Sequence, residues 1–345
     1  MTFAVAILFF VVAFLKPPAL NVMEVRQAAG MEWLAIMSSL FVAKKFHWSV
    51  GLCFFWIVLE CFQWDSLASL ITILFFALLA LQLTEKRADF MLHLLAFVAL
   101  GDATILIFRY VTTLDVNNAW WTMGSASLES SFLAVTLPLV MSVGKLSKNT
   151  RLSMVLFILA AIVITRSNTG IFTALVMLMA YMTAIGKLTW RRLTAFTLLC
   201  VVAVLYLEYG CHKLLADQER YATWFKMMGF WRTQLNMWVG GGPGNYFTFA
   251  QVVYGKGHDK LVHMHNDLLE VLFTLGIPGL FSVLIMYVLM LKKALNRPFL
   301  FSMVIGYGCV SMTLFPNYLF FFEMLGIMLI YKCFVTKGDI SCRIQ

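Results

Sequence analysis

The sequence predicts an all-α polytopic membrane protein, and three observations carry that prediction. Apolar residues make up 61% of the 345-residue chain and charged residues only 12%, whereas soluble globular chains hold about a quarter charged residues. The mean hydropathy is +0.86. The apolar residues gather into runs without period-two alternation, which excludes a transmembrane barrel. Each run must then satisfy its own backbone as a helix. The same composition excludes soluble dinucleotide-binding, barrel and nucleic-acid-binding folds. The formal charge of +9 does not revive the last of these, because the lysines and arginines lie in small clusters between apolar runs and there report orientation.

Twelve runs are expected to span: 2–15, 28–43, 47–64, 66–84, 90–108, 128–144, 152–165, 169–186, 193–209, 264–291, 299–315 and 318–334. The first lacks a basic leader and a small-residue cleavage site and reads as a retained helix. With a cytoplasmic N-terminus, the inside connections hold Lys44, Lys45, Lys86, Arg87, Lys145, Lys148, Arg151, Lys187, Arg191 and Arg192. They continue with Lys292, Lys293, Arg297, Lys332, Lys337 and Arg343, making sixteen of the 26 basic residues. The short outside connections hold only Lys16, Arg26, Arg109 and Arg166, so both termini are expected inside. The remaining six basic residues fall in one long outer loop, 210–263. Residues 1–345 read as a single membrane domain without repeats or linkers. Trp120 and Trp121, in the outer connection 109–130, read as interfacial anchors. The seven cysteines show neither a disulfide framework nor a zinc spacing. Glu60, His93, Asp102 and Glu323 lie within apolar runs at a cost of about 2.5–3.5 kcal/mol each if isolated, so they are expected to face the bundle interior or a wet cavity. Asp102 either borders a groove at the outer face or pairs with Arg109.

The outer loop and the helix after it hold the chemistry. Arg220-x3-Trp224 opens an amphipathic stretch with Phe225, Met228, Trp231 and Leu235 at helical spacing. A glycine-rich turn follows, Gly240-Gly241-Gly242-Pro243-Gly244-Asn245-Tyr246-Phe247. It is not a phosphate-binding P-loop, because no Gly-Lys-Ser/Thr follows. It reads as a tight turn using positive φ, or as a nest of amides toward phosphate. His265-Asn266-Asp267-Leu268-Leu269-Glu270 then leads into a helix carrying Gly276-x2-Gly279. His258, His263 and His265 crowd together, but their spacing is not that of a zinc helix. No nearby cysteine or acidic pair completes a closed tetrahedral set, although Asp259 and Asp267 could contribute ligands. No metal and no cofactor is expected.

This order of elements resembles the O-antigen ligase and O-antigen polymerase superfamily of lipid-linked oligosaccharide transferases. The similarity covers roughly 150–290, about 40% of the chain. It rests on the Arg-x3-Trp element, the glycine turn and the H-N-x-x-L-E helix start. Upstream, where the family carries an S-R-x-G-like sequence, this chain has Thr165-Arg166-Ser167-Asn168-Thr169-Gly170. Asn168 stands at the aligned arginine, and Arg166, two residues earlier, is the candidate to replace it.

The resemblance implies an inverting, metal-independent glycosyltransferase of the bacterial inner membrane with a periplasmic active site. It would move a glycan from undecaprenyl diphosphate to a hydroxyl of lipid A-core, a growing polysaccharide or a protein. The last is disfavoured by the lack of an additional soluble module. Membrane lipids are the other expected partners, and nucleic acid is not one.

For such a reaction a neutral imidazole suits removal of the acceptor proton, since an unperturbed histidine (pKa about 6.5) is roughly three quarters unprotonated at pH 7. Guanidinium groups suit the diphosphate, which they grip bidentately. His265 is therefore the expected base, with Arg220 first and Arg166 second on the diphosphate. Asn266, Gly242, Gly244 and Arg232 are supporting candidates. Generic roles compete throughout: helix capping for His265, a solvated or headgroup-bound charge for Arg220, and interfacial snorkelling for Arg166. The alternatives of another class are a polytopic transporter or lipid-linked glycan flippase, and an inactive assembly partner. The halves of the chain do not match as a transporter's often do.

Overall fold

The computed structural model describes residues 83–114, 125–142, 146–186, 218–242, 246–255, 266–313 and 320–336, with helical backbone also at 194, 198 and 202. The first four apolar runs lie outside it except for Leu83 and Thr84, as do Trp120 and Trp121. The described residues form helices and no strand: α1 Glu85–Thr113, α2 Ala126–Met141, α3 Lys148–Ile164, α4 Asn168–Ala184, α5 Gln218–Gln234, α6 Tyr246–Tyr254, α7 Asp267–Ala294, α8 Pro298–Thr313 and α9 Phe320–Phe334. By length and composition, α1 and α7 can cross a membrane, and α2, α4 and α8 are shorter apolar helices.

Helix starts are set by polar side chains just ahead of the apolar runs. Thr84, Ser125, Ser147, Ser167 and Asn266 are the N-caps of α1, α2, α3, α4 and α7, each accepting from an amide three residues on. Each such bond satisfies a donor that the helix cannot, for about 1 kcal/mol. The caps explain why several helices begin before their hydropathic runs.

The bundle is built around α2, of which nearly every residue from Ala126 to Val140 is buried. It packs on α1, α3, α4 and α8. Small residues permit the close approaches. A Cβ on Gly170 of α4 would collide with the side chain of Ser130 in α2. One on Gly306 of α8 would lie 2.6 Å from Cγ of Met177 in α4. Close backbone approach through small residues is the usual device for helices that gain little from hydrophobicity between them.

One end of the bundle is tied by two basic side chains. Arg297, between α7 and α8, donates from Nη1 to the carbonyls of Lys332 (2.6 Å) and Thr336 (3.0 Å). It donates from Nη2 to Cys333 and from Nε to Lys293, both at 3.0 Å. A single guanidinium thus meets the orphan carbonyls at the C-termini of α7 and α9. Lys332 has a side chain only 3% exposed and is paired with Asp89, with Glu85 at 3.9 Å. These two carboxylates begin α1. Counted as orientation charges, Arg297 and Lys332 prove to be structural ties. Arg297→Ala would take the guanidinium donor from the Thr336 and Cys333 carbonyls and one of two side-chain donors from that of Lys332. It is expected to cost about 3 kcal/mol, read as a fall in the thermal unfolding midpoint in detergent. Arg297→Lys, with fewer donors, should recover only part of it.

These ties also fix helix direction. The C-termini of α7 and α9 and the N-terminus of α1 share one end, so α7 starts at the other. Phe132 near the start of α2 packs edge-on against Phe322 near the start of α9, with ring centroids 5.8 Å apart. Gly170 meets Ser130 as α4 begins. The starts of α2, α4, α7 and α9 therefore lie together, opposite Lys86, Arg87, Lys292, Lys293, Arg297 and Lys332.

Candidate active site

The described parts of the long loop form a cap of two helices, α5 and α6, which pack on each other and on the first half of α7. Its apolar cluster holds Met227, Trp231, Tyr246, Ala250 and Phe273, with Trp224, Met228, Leu235, Leu269 and Leu272 packed around it. The expected amphipathic face of α5 is rotated. Trp224, Met227, Met228 and Trp231 point inward at helical spacing, while Phe225 is 80% exposed. Lys226 lies over the Tyr254 ring, 4.1 Å from its centroid, and links the two cap helices.

The first half of α7 is shared between two cores. Val271 and Leu275 face the bundle core, whereas Leu269, Leu272 and Phe273 face the cap. The helix then breaks at Gly276 (φ 68°, ψ −166°), two residues before Pro278. Proline has no N–H to return to the carbonyl four residues back, which here belongs to Thr274. The glycine turn meets this need. The Gly242 amide donates to the Thr274 carbonyl and the Gly241 amide to that of Phe273, both at 2.8 Å; the Ile277 amide donates to the Met237 carbonyl at 2.9 Å. Approach this close requires glycine on both sides. A Cβ on Gly240 (φ 76°) would lie 2.7 Å from the Thr274 carbonyl, and one on Gly276 2.6 Å from the carbonyl carbon of Trp238. Over 240–242 the turn is tight and uses positive φ at Gly240 and Gly242; Pro243, Gly244 and Asn245 lie outside the described residues. The Gly241 and Gly242 amides are spent on α7 and form no nest open to phosphate.

At the head of α7, the Asn266 side chain accepts from the Leu269 amide (3.0 Å) and its carbonyl from the Glu270 amide (3.0 Å). The asparagine of H-N-x-x-L-E is thus a helix cap. Asp267 and Glu270 are 4% and 1% exposed in the first turn, where the helix dipole favours negative charge. Tyr246 is buried beside Phe273, with ring centroids 5.5 Å apart. Burial, then the nearby Glu270 charge, pushes its phenol far above the ordinary tyrosine range, so it remains a neutral donor. The hydroxyl of Tyr246 and the indole N–H of Trp231 are buried without a hydrogen-bond partner among the described residues.

The other expected site residues are placed unevenly. His265 and Gly244 lie outside the described residues, and so do His258, His263 and Asp259. Arg220 falls in the first turn of α5, its side chain outside the described part. Arg232 is exposed in the last turn of α5. Arg166 is exposed in the Thr165–Ser167 turn with φ 51°, a left-handed conformation uncommon for a residue other than glycine. Ser167 accepts from the Gly170 amide and caps α4. Arg166 stands at the α7-start end of the bundle, but α4 packs chiefly on α2 and α8 while the cap packs on α7.

Sequence reasoning named Trp231, Tyr246 and Glu270 only as members of the amphipathic stretch, the glycine turn and the helix start, and missed the buried carboxylate Glu129. For Glu129, Tyr246 and Glu270 the signal was a polar residue within a turn of a helix start; Trp231, in the last turn of α5, carried none beyond its apolar spacing. Among the described residues, no group of His, Cys, Asp and Glu could hold a metal ion. No family model matches the chain, and no curated protein matches it either.

Proposed function

We propose that the chain is an integral-membrane glycosyltransferase that moves a glycan from undecaprenyl diphosphate onto an acceptor hydroxyl at the periplasmic face. The observation that carries this reading is the union of two distant sequence elements. The glycine turn at 240–242 and the helix that follows His265 are bonded backbone to backbone. The fold thereby joins two of the three pieces on which the family resemblance rests, at the end of the bundle where Arg166 also lies.

In this reading His265, one residue ahead of the Asn266 cap, removes the acceptor proton. Arg220 and Arg166 neutralise the departing diphosphate, an effect worth about 3–4 kcal/mol per donor. The acceptor is lipid A-core for a ligase or the growing glycan for a polymerase. The protein sits in the inner membrane with roughly twelve spans and cytoplasmic termini. A transporter is disfavoured by the break in α7. Transporters use the backbone groups of broken helices to hold substrate or ions, whereas here the glycine turn occupies them.

The test is transfer of labelled undecaprenyl-diphosphate-linked glycan by purified protein in lipid nanodiscs, with a metal chelator present. Transfer should persist with chelator and fall steeply for Arg220→Ala. Dependence on added divalent metal would replace the arginine account with a metal one, and absence of transfer to any acceptor would favour the transporter. In cells lacking the protein, loss of all long surface chains identifies a ligase, and cores bearing one repeat identify a polymerase.

A further inference from the structure

We infer that the strap from Met237 to Gly242 dips into the outer leaflet of the bilayer, with Met237 and Trp238 facing lipid. This rests on the membrane embedding proposed above and is independent of the transfer chemistry. Lys292 and Lys293 are exposed in the last turn of α7 and mark the far water interface. Counting back a hydrocarbon core of about 30 Å at about 1.5 Å per residue places the near interface close to Leu272. The break at Gly276 therefore lies about 6 Å inside the core boundary, and the strap bonded to it shares that depth. The lipid-facing stripe of α7 agrees: Phe281, Leu284, Ile285 and Val288 are exposed at helical spacing.

Two independent features of the strap suit this depth. Non-helical backbone is tolerated in the membrane only where its polar groups are satisfied by protein. All five amides from Trp238 to Gly242 are bonded: Trp238 to the Asn236 side chain, Val239 and Gly240 to the Asn236 carbonyl, Gly241 to Phe273 and Gly242 to Thr274. Gly240, Gly241 and Gly242 are buried, while Trp238 and Met237 are 62% and 43% exposed. An exposed tryptophan at the membrane boundary is where its amphipathic ring is most stable.

Nitroxides attached at Trp238→Cys and Phe281→Cys, in a cysteine-free chain in phosphatidylethanolamine–phosphatidylglycerol nanodiscs, test the placement. Both labels should collide with oxygen more than with an aqueous nickel chelate. If the label at 238 favours nickel while that at 281 favours oxygen, the strap stands in water and the inference fails with the embedding intact. If both favour nickel, the embedding itself is wrong. A second measurement keeps every native cysteine. The emission lost in Trp238→Phe should be one that lipids brominated near the ester end of their chains quench. Loss of an emission that aqueous iodide quenches and brominated lipid does not would overturn the placement.

Discussion

Replacing Gly276 by alanine is expected to destabilise the protein by about 4 kcal/mol and to release the cap from α7. Two costs add. The backbone at Gly276 has φ 68° and ψ −166°, a region only glycine occupies readily, and forcing a Cβ into it costs about 1–3 kcal/mol. The Cβ would also lie 2.6 Å from the carbonyl carbon of Trp238, which is main chain and cannot rotate away. Overpacking of that kind costs about 1–3 kcal/mol more. Relief requires the strap to withdraw, which breaks the bonds from Gly241, Gly242 and Ile277 together. Hydrogen exchange should therefore accelerate across 236–242 while α2 stays protected. Gly229→Ala is the control, because a Cβ there meets nothing within 4 Å and alanine favours a helix by up to about 1 kcal/mol. Equal exchange in the two variants would show that the strap is not held by the break.

Among the described residues, the hydropathic runs marked helix interiors well and their ends poorly. The run at 90–108 became a helix from Glu85 to Thr113, because its first turn carries Glu85, Lys86, Arg87 and Asp89, which a hydropathy reading assigns to a loop. The ion pair from Lys332 to Asp89 was invisible for the same reason. Each partner looked like an ordinary interfacial charge, and only the packing of α9 on α1 brings them together. Local pattern also misjudged α5, where Phe225 and Trp224 offer two overlapping apolar stripes and tertiary contact with Phe273 selects the one containing Trp224, Met227 and Trp231. The docking of the glycine turn was half legible. Gly276 and Pro278 announce a break, and the run of glycines announces close approach. Their partnership is made by backbone atoms, which leave no side-chain signature beyond the absence of Cβ. The chemistry assigned to His265 and Arg220 was read from residue type and order; His265 and the Arg220 side chain lie outside the described residues.

Replacing His265 by alanine is expected to lower glycan transfer by about 10²–10⁴-fold, the usual range for a positioned general base, with little change in thermal stability. The separation of the two effects follows from the head of α7. The cap there is made by the side chain and carbonyl of Asn266, which His265→Ala leaves in place. Asn266→Ala should do the reverse, with stability falling by about 1 kcal/mol and transfer falling less, since the helix start frays without loss of the base. Arg220→Lys should retain more transfer than Arg220→Ala but less than the native chain, because an ammonium keeps the charge and loses the planar fork that matches phosphate. This graded pattern separates chemistry from architecture. A general collapse of the fold would lower all four variants together in both assays. If His265→Ala is made in normal amounts and transfers glycan at the native rate, the imidazole is not the base. The proton must then leave through another group at that end of the bundle, for which the buried carboxylates Asp267 and Glu270 in the first turn of α7 are the nearest chemistry.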